Sequence, residues 1–136
     1  MYVLDTNVIS AVRRPDRAPQ VAAWLQDRVE TELYLSVITL GEIERGVRQQ
    51  EGRNPAFAAD LRAWLDRTLR LFGDRLLPFG AEDALIWGRL SHEIGHPGAD
   101  LMIAATALKH GATVVTGNVD DFLPTGVLLE NPFQPR

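Results

Sequence analysis

The stretch Asp100–Phe122, DLMIAATALKHGATVVTGNVDDF, decides the fold. Its first eleven residues are apolar nearly all round, which predicts a helix buried on every side. Gly111 supplies the stop. The next five residues, ATVVT, are a short apolar run of the kind that forms a central strand of a parallel sheet. GNVDDF then reads as a polar loop. A buried helix that feeds straight into a buried strand is half of a βαβ unit, and the rest of the chain keeps the same alternation.

Upstream, YVL is a strand that stops at Asp5, with Thr6 and Asn7 as N-cap residues of a helix ending before Pro15. APQVAAWLQDRV predicts a second helix, with Val21, Trp24, Leu25 and Val29 on one face. LYLSVI is a strand and TLGEIERGVRQQE a helix. Asn54-Pro55 opens another, which carries Phe57, Leu61, Trp64 and Leu65 on one side. RLLPF is a strand closed by Gly80. AEDALIWGRLSHEI places Ile86, Trp87, Leu90 and Ile94 on one stripe, and GVLLE is a final strand. The expectation is an α/β chain: a single domain over residues 1–136, with a central parallel twisted sheet flanked by helices on both faces. In such sheets, sites gather beyond the carboxyl ends of the strands.

The composition is that of an ordinary globular chain, 46% hydrophobic and 24% charged. No apolar run approaches the ~20 residues a membrane helix needs. MYVLDTN lacks the basic region and cleavage site of a secretory signal, and the absence of cysteine excludes disulfides and thiolate zinc sites. A cytoplasmic protein is the simple expectation. The net charge of −4 argues against a generic basic nucleic-acid binder, although sequestering four acids in a metal site would leave the remainder neutral. The cations are 13 arginines and Lys109 alone. Arginine's planar fork grips phosphate in a bidentate manner, but a GC-rich genome would give the same bias.

HEIGHPGAD, His92–Asp100, offers two chemistries. H-E-x-x-H is the signature of a zinc peptidase helix, in which two imidazoles share a face and the glutamate activates water. Here Gly95 interrupts the motif and Pro97 follows His96, so the helix is expected to fray before the second imidazole. Ala99 and Met102 stand where the extended pattern wants glycine and a third histidine, and His110 lies at the far end of the next helix. Histidines near a helix C-terminus are favoured by its dipole. A zinc-dependent hydrolase built on His92 and His96 is thus a rival reading.

The carboxylates are individually ambiguous. Asp5 can be a turn or cap residue. Thr39-x-x-Glu42 is a capping-box pattern. Asp100 opens a buried helix, where an acid needs a partner that N-capping could supply. Asn118, Asp120 and Asp121 lie in a polar loop. Jointly, however, four acids fall at strand-to-helix junctions or first helical turns, which parallel topology brings to one edge. Packed carboxylates repel unless a cation neutralises them, and all-oxygen ligands select Mg²⁺ or Mn²⁺.

The stretches YVLDTNVIS, LYLSVITLGEIERGV, GADLMIAATALKHGATVVTGNVDDF and GVLLENPF together resemble a PIN-domain ribonuclease, and within that group the VapC-type toxin of a VapBC toxin–antitoxin pair. With their spacing, the resemblance covers essentially the whole chain. It implies Mg²⁺- or Mn²⁺-dependent RNA cleavage leaving 5′-phosphate and 3′-hydroxyl ends, a homodimer, and restraint by a small VapB-type antitoxin. Its acids fall on Asp5, Glu42 and Asp100. Since Asn118 stands where members carry an acid or Asn, the fourth falls on Asp121, with Asp120 in reserve. Asp5 and Asp100 would hold the principal metal, with Glu42 and Asp121 binding a second or orienting water. Thr6, Ser36, Thr116 and Asn118 match positions that line the family's site. Arg13, Arg14 and Arg45 are candidate phosphate contacts by proximity in sequence. A catalytically silent RNA- or protein-binding module on the same fold is the second rival.

Overall fold

The computed structural model describes residues 1–134; Pro135 and Arg136, the end of the expected domain, lie outside the described residues. Five strands form one sheet: β1 (Tyr2–Leu4), β2 (Leu33–Ser36), β3 (Leu76–Leu77), β4 (Thr113–Val115) and β5 (Leu128–Glu130). Their order is β3-β2-β1-β4-β5 and every pairing is parallel. The helices are α1 (Thr6–Ala11), α2 (Pro19–Gln26), α3 (Val37–Glu51), α4 (Pro55–Phe72), α5 (Ala81–Ile94), α6 (Ala99–His110) and α7 (Val119–Phe122).

The strands' period of two sorts their side chains into two cores. Leu4, Leu33, Leu35 and Val115 pack on one face with Val8 of α1, Val21 and Trp24 of α2, Ile43 of α3, and Leu65 and Phe72 of α4. Val3, Leu77 and Val114 pack on the other with Leu90 of α5, Ile103 and Ala104 of α6, and Phe122 of α7. The expected sandwich of helices on both faces is therefore present. Helix α6 carries six buried residues in its twelve, as its all-round apolar sequence requires. It ends at Gly111 in the left-handed region, φ 64°.

Several expected boundaries move. LYLSVI stops being a strand at Ser36, whose hydroxyl accepts from the Ile38 amide and caps α3. Val37 and Ile38 are β-branched but lie inside the helix. RLLPF contributes only Leu76–Leu77. Helix α2 ends at Gln26, so Val29 leaves the expected apolar face and is 63% exposed. The cap of α1 is Asp5 rather than Thr6 or Asn7: its carboxylate accepts from the Thr6 amide. GNVDDF is not all loop, because its last four residues coil into α7 around the buried Phe122.

Candidate active site

Strand order reverses between β1 and β4, since β1 leads away to β2 on one side and β4 to β5 on the other. Such a switch point opens a crevice beyond the carboxyl ends of the two strands. The register Leu4↔Val115 puts Asp5 and Thr116 side by side at its mouth. The Asp5 amide donates to the Val115 carbonyl at 2.9 Å, extending the ladder by one step.

Asp5 is 3% exposed, and both its oxygens are held: Thr116 Oγ1 donates to Oδ2 at 2.7 Å and the Thr6 amide to Oδ1 at 2.8 Å. Burial pushes the Asp5 carboxyl above its ordinary range. The two hydrogen bonds pull it back, and the negative charges of Glu42 and Asp121 push it up again. Thr116 in turn accepts from the Asn118 amide at 2.9 Å, which ties the end of β4 to the start of α7. Asn7 Oδ1 takes the Gly117 amide at 3.4 Å. A Cβ on Gly117 would stand 2.8 Å from the Phe133 ring, so only glycine lets the chain's tail close over this turn.

Glu42 is not the far end of a capping box. The cap of α3 is Ser36, three residues before Thr39, and Thr39 is buried within the helix. The Glu42 carboxylate instead accepts the Thr6 hydroxyl at 2.6 Å, while the Thr39 hydroxyl lies 3.1 Å from Thr6. This Thr6–Thr39 contact, absent from the sequence reading like the Asn7–Gly117 bond, joins α1 to α3. Its signal was Thr39 itself, assigned to a cap.

Asp100 sits in the first turn of α6, whose cap is Gly98 with no side-chain bond, so capping does not occupy it. Burial pushes its carboxyl up first, then the charges of Asp5 and Asp121, with His96 pulling the other way. Asp121, in the first turn of α7, thus bears on both buried Asp5 and half-buried Asp100. Asp120 is its neighbour in the same turn. Both line an open groove of about 580 Å³ with Asn118, Asn131 and Gln134. Asn118 begins α7 but makes no side-chain cap, and Ser36 faces its own helix amide.

The acids suit a hard cation by chemistry and charge: all are oxygen donors, and the repulsion among them is what a cation relieves. Among the described residues, no three histidine or carboxylate side chains already form a cluster able to hold a metal ion. The imidazoles are arranged otherwise. Helix α5 ends at Ile94, Gly95 turns left-handed at φ 98°, and His96 lies beyond it with Nδ1 accepting from the Gly98 amide at 3.1 Å. His92 and His96 therefore do not share a helical face. Arg13 stacks over Phe57 at 5.0 Å, and Arg45 lines a groove beside Glu42.

Comparison with known proteins gives a consistent relationship. Toxin FitB of Neisseria gonorrhoeae is 36% identical over 139 residues, spanning 98% of this chain and 99% of that one. VapC ribonuclease Y4jK of Sinorhizobium fredii is 35% identical over 144 residues, 99% of each. Ribonuclease VapC14 of Mycobacterium tuberculosis is 50% identical over 72 residues, 52% of this chain and 70% of its own. The solved structure of FitAcB from N. gonorrhoeae superposes with a TM-score of 0.86 at 35% identity, covering 99% of this chain and 100% of that one. The PIN domain model matches residues 2–124, from the first strand through the helix that carries Asp121, and the chain belongs to the PIN domain family.

Proposed function

We propose that the chain is a VapC-type toxin, an endoribonuclease that hydrolyses RNA phosphodiesters with Mg²⁺ or Mn²⁺. One observation carries this reading: Asp5 at the end of β1, Asp100 of α6 and Asp121 of α7 face the β1/β4 switch point, with Glu42 of α3 held at its edge by Thr6, and burial first, then the neighbouring negative charges, raise the proton affinity of Asp5 and Asp100. Relatives named as ribonucleases support the substrate class.

Asp5 and Asp100 would hold the ion, with Asp121 beside them; Thr116 and Thr6 keep Asp5 from turning away. When bound, the cation neutralises these acids and stabilises the charge that develops on the phosphate. Thr6 fixes Glu42 through Oε1. The other oxygen is free to take a proton from the attacking water. The water oxygen bonds to phosphorus as the P–O3′ bond breaks, and the departing O3′ takes a proton from solvent water, leaving a 5′-phosphate and a 3′-hydroxyl.

FitB has been solved as FitAB bound to a DNA fragment, and a Rickettsia felis relative as VapBC2 bound to a fragment of its promoter. By analogy this chain is restrained by a VapB-type antitoxin partner, and we propose that it works in the cytoplasm as a homodimer. Among the described residues no helix is long and apolar enough to cross a membrane. The test is RNA cleavage across a titration of divalent ions after chelation. Mg²⁺ or Mn²⁺ should restore activity. Restoration by Zn²⁺ alone, or tight RNA binding with no cleavage under any ion, would overturn the reading.

A further inference from the structure

We propose that the groove-lining strip of α3 formed by Glu42, Arg45, Gly46 and Gln49 is the track on which the RNA backbone leaves the acid site, with Arg45 gripping a phosphate neighbouring the one that is cut. The inference rests on the ribonuclease reading and adds to it a direction for the strand and a named phosphate contact.

These four residues line one groove of about 380 Å³. Its near end belongs to the site, because the Thr6 hydroxyl holds Glu42 at 2.6 Å. Arg45 is three residues further along and Gln49 seven, so both continue the face that Glu42 begins. The other charges of α3 are occupied. Glu44 is taken by Arg48 and Arg62, and Glu51 by Arg48. Arg45 is exposed and, among the described residues, has no ion pair, hydrogen bond or ring contact. Of the other two arginines placed near the rim, Arg13 already stacks on Phe57, and Arg14 is exposed but does not line this groove.

Gly46 adds an independent observation. Glycine is the poorest helix former after proline, yet Gly46 lies inside a fifteen-residue helix. A Cβ there would meet nothing within 4 Å, so no packing within the chain calls for glycine. What glycine gives at such a place is close approach of another molecule to the backbone. None of the four residues is apolar, whereas the centres of protein interfaces are enriched in aromatic and apolar side chains. A bare helix backbone beside an unengaged guanidinium is instead suited to a phosphodiester chain.

The experiment uses the full-length protein carrying Asp100→Asn, so that RNA is bound without being cut, and a fluorescein-labelled oligouridylate in Mg²⁺. Arg45→Gln should weaken binding about tenfold at low salt. It should also flatten the dependence of log K on log salt by about 0.7, the share of one single-strand phosphate. Arg70→Gln, in the last turn of α4, should change neither. Gly46→Ala should raise the thermal midpoint by about 3–5 °C, as alanine improves a helix, and yet weaken binding several-fold. In the otherwise native enzyme, both substitutions should raise KM more than they lower kcat. Wild-type affinity and slope in Arg45→Gln, with the wild-type enzyme cleaving RNA normally, would overturn the track alone. A changed oligomeric state in Gly46→Ala would overturn it by making the strip a subunit contact. A wild-type chain that neither binds nor cuts RNA would remove the ribonuclease reading and the track together.

Discussion

Asp100 shows most directly how a residue can oppose the fold that holds it. Its carboxyl is raised by burial and by the charges of Asp5 and Asp121, so the folded chain binds this proton more tightly than the unfolded one. Its contribution to stability is therefore present below the ordinary carboxylate pKa and is lost as pH rises through the raised value. At neutral pH and without divalent ions, Asp100→Asn should raise the thermal midpoint by a few degrees, while RNA cleavage falls at least ~100-fold. A differential scanning measurement paired with a cleavage assay checks both; normal cleavage would remove Asp100 from the ligand set. Glu42→Gln separates function from architecture in the same way. Ser36, not Glu42, caps α3, so the helix should keep its stability while cleavage falls at least ~100-fold, about 2.7 kcal/mol in the barrier. The placing of Asp5 and Asp100 at helix starts was legible from the flanking apolar runs. The role of Thr39 was not, because the capping-box pattern fits Thr39 and Glu42 equally well, and only the earlier Ser36 cap shows which spacing the helix uses.

At the scale of elements, α5 and α6 are joined by a buried acid that their sequences do not advertise. Asp83 is fully buried, accepting from the Gly80 amide, from the Thr106 hydroxyl at 2.7 Å and from Lys109 Nζ at 3.2 Å. Burial raises its carboxyl, but Thr106, Gly80 and Lys109 outweigh that and leave it below the ordinary range. The stability it adds is present above the unfolded pKa and is lost as pH falls through the depressed folded value. Asp83→Ala strands a buried hydroxyl and unpairs Lys109; it should cost about 3 kcal/mol and flatten the acid limb of the stability curve. Urea unfolding at pH 7 and near pH 3 measures both, and equal losses at the two values would contradict the linkage. Sequence reading missed this clasp because an acid in the first turn of a helix looks like ordinary dipole compensation, and its partners Thr106 and Lys109 lie more than twenty residues on. The strands, by contrast, were legible as short apolar runs. Their ends slipped, at RLLPF, which kept only Leu76–Leu77, and at Val37 and Ile38, where β-branched residues serve a helix whose Ile38 packs into the core.

For the whole molecule, the acid site is a concentration of repulsion that ligand binding can relieve. On the proposed reading Mg²⁺ would bind the folded chain in preference to the unfolded one, so saturating ion should raise the thermal midpoint, by about 2.7 kcal/mol of stability at a hundred times Kd. The rise should shrink sharply in Asp100→Asn and persist in His92→Ala and His96→Ala. An equal rise in Asp100→Asn would place the ion elsewhere. The alternation of strands and helices was enough to foresee the parallel sheet, while the strand order, and with it the crevice, depends on long-range pairing that no local pattern encodes.

That pairing has a temporal side. The hydrogen bond that fixes Asp5 comes from Thr116, 111 residues later in the chain, and β1 lies between strands drawn from far apart in the sequence. A ribosome adding 5–20 residues per second makes Asp5 several seconds before the threonine that orients it. The nuclease centre therefore cannot exist in a partly made chain. Translation cut short anywhere before β4 yields a harmless fragment, and the interval before assembly is one in which a cell makes a toxin without yet possessing one.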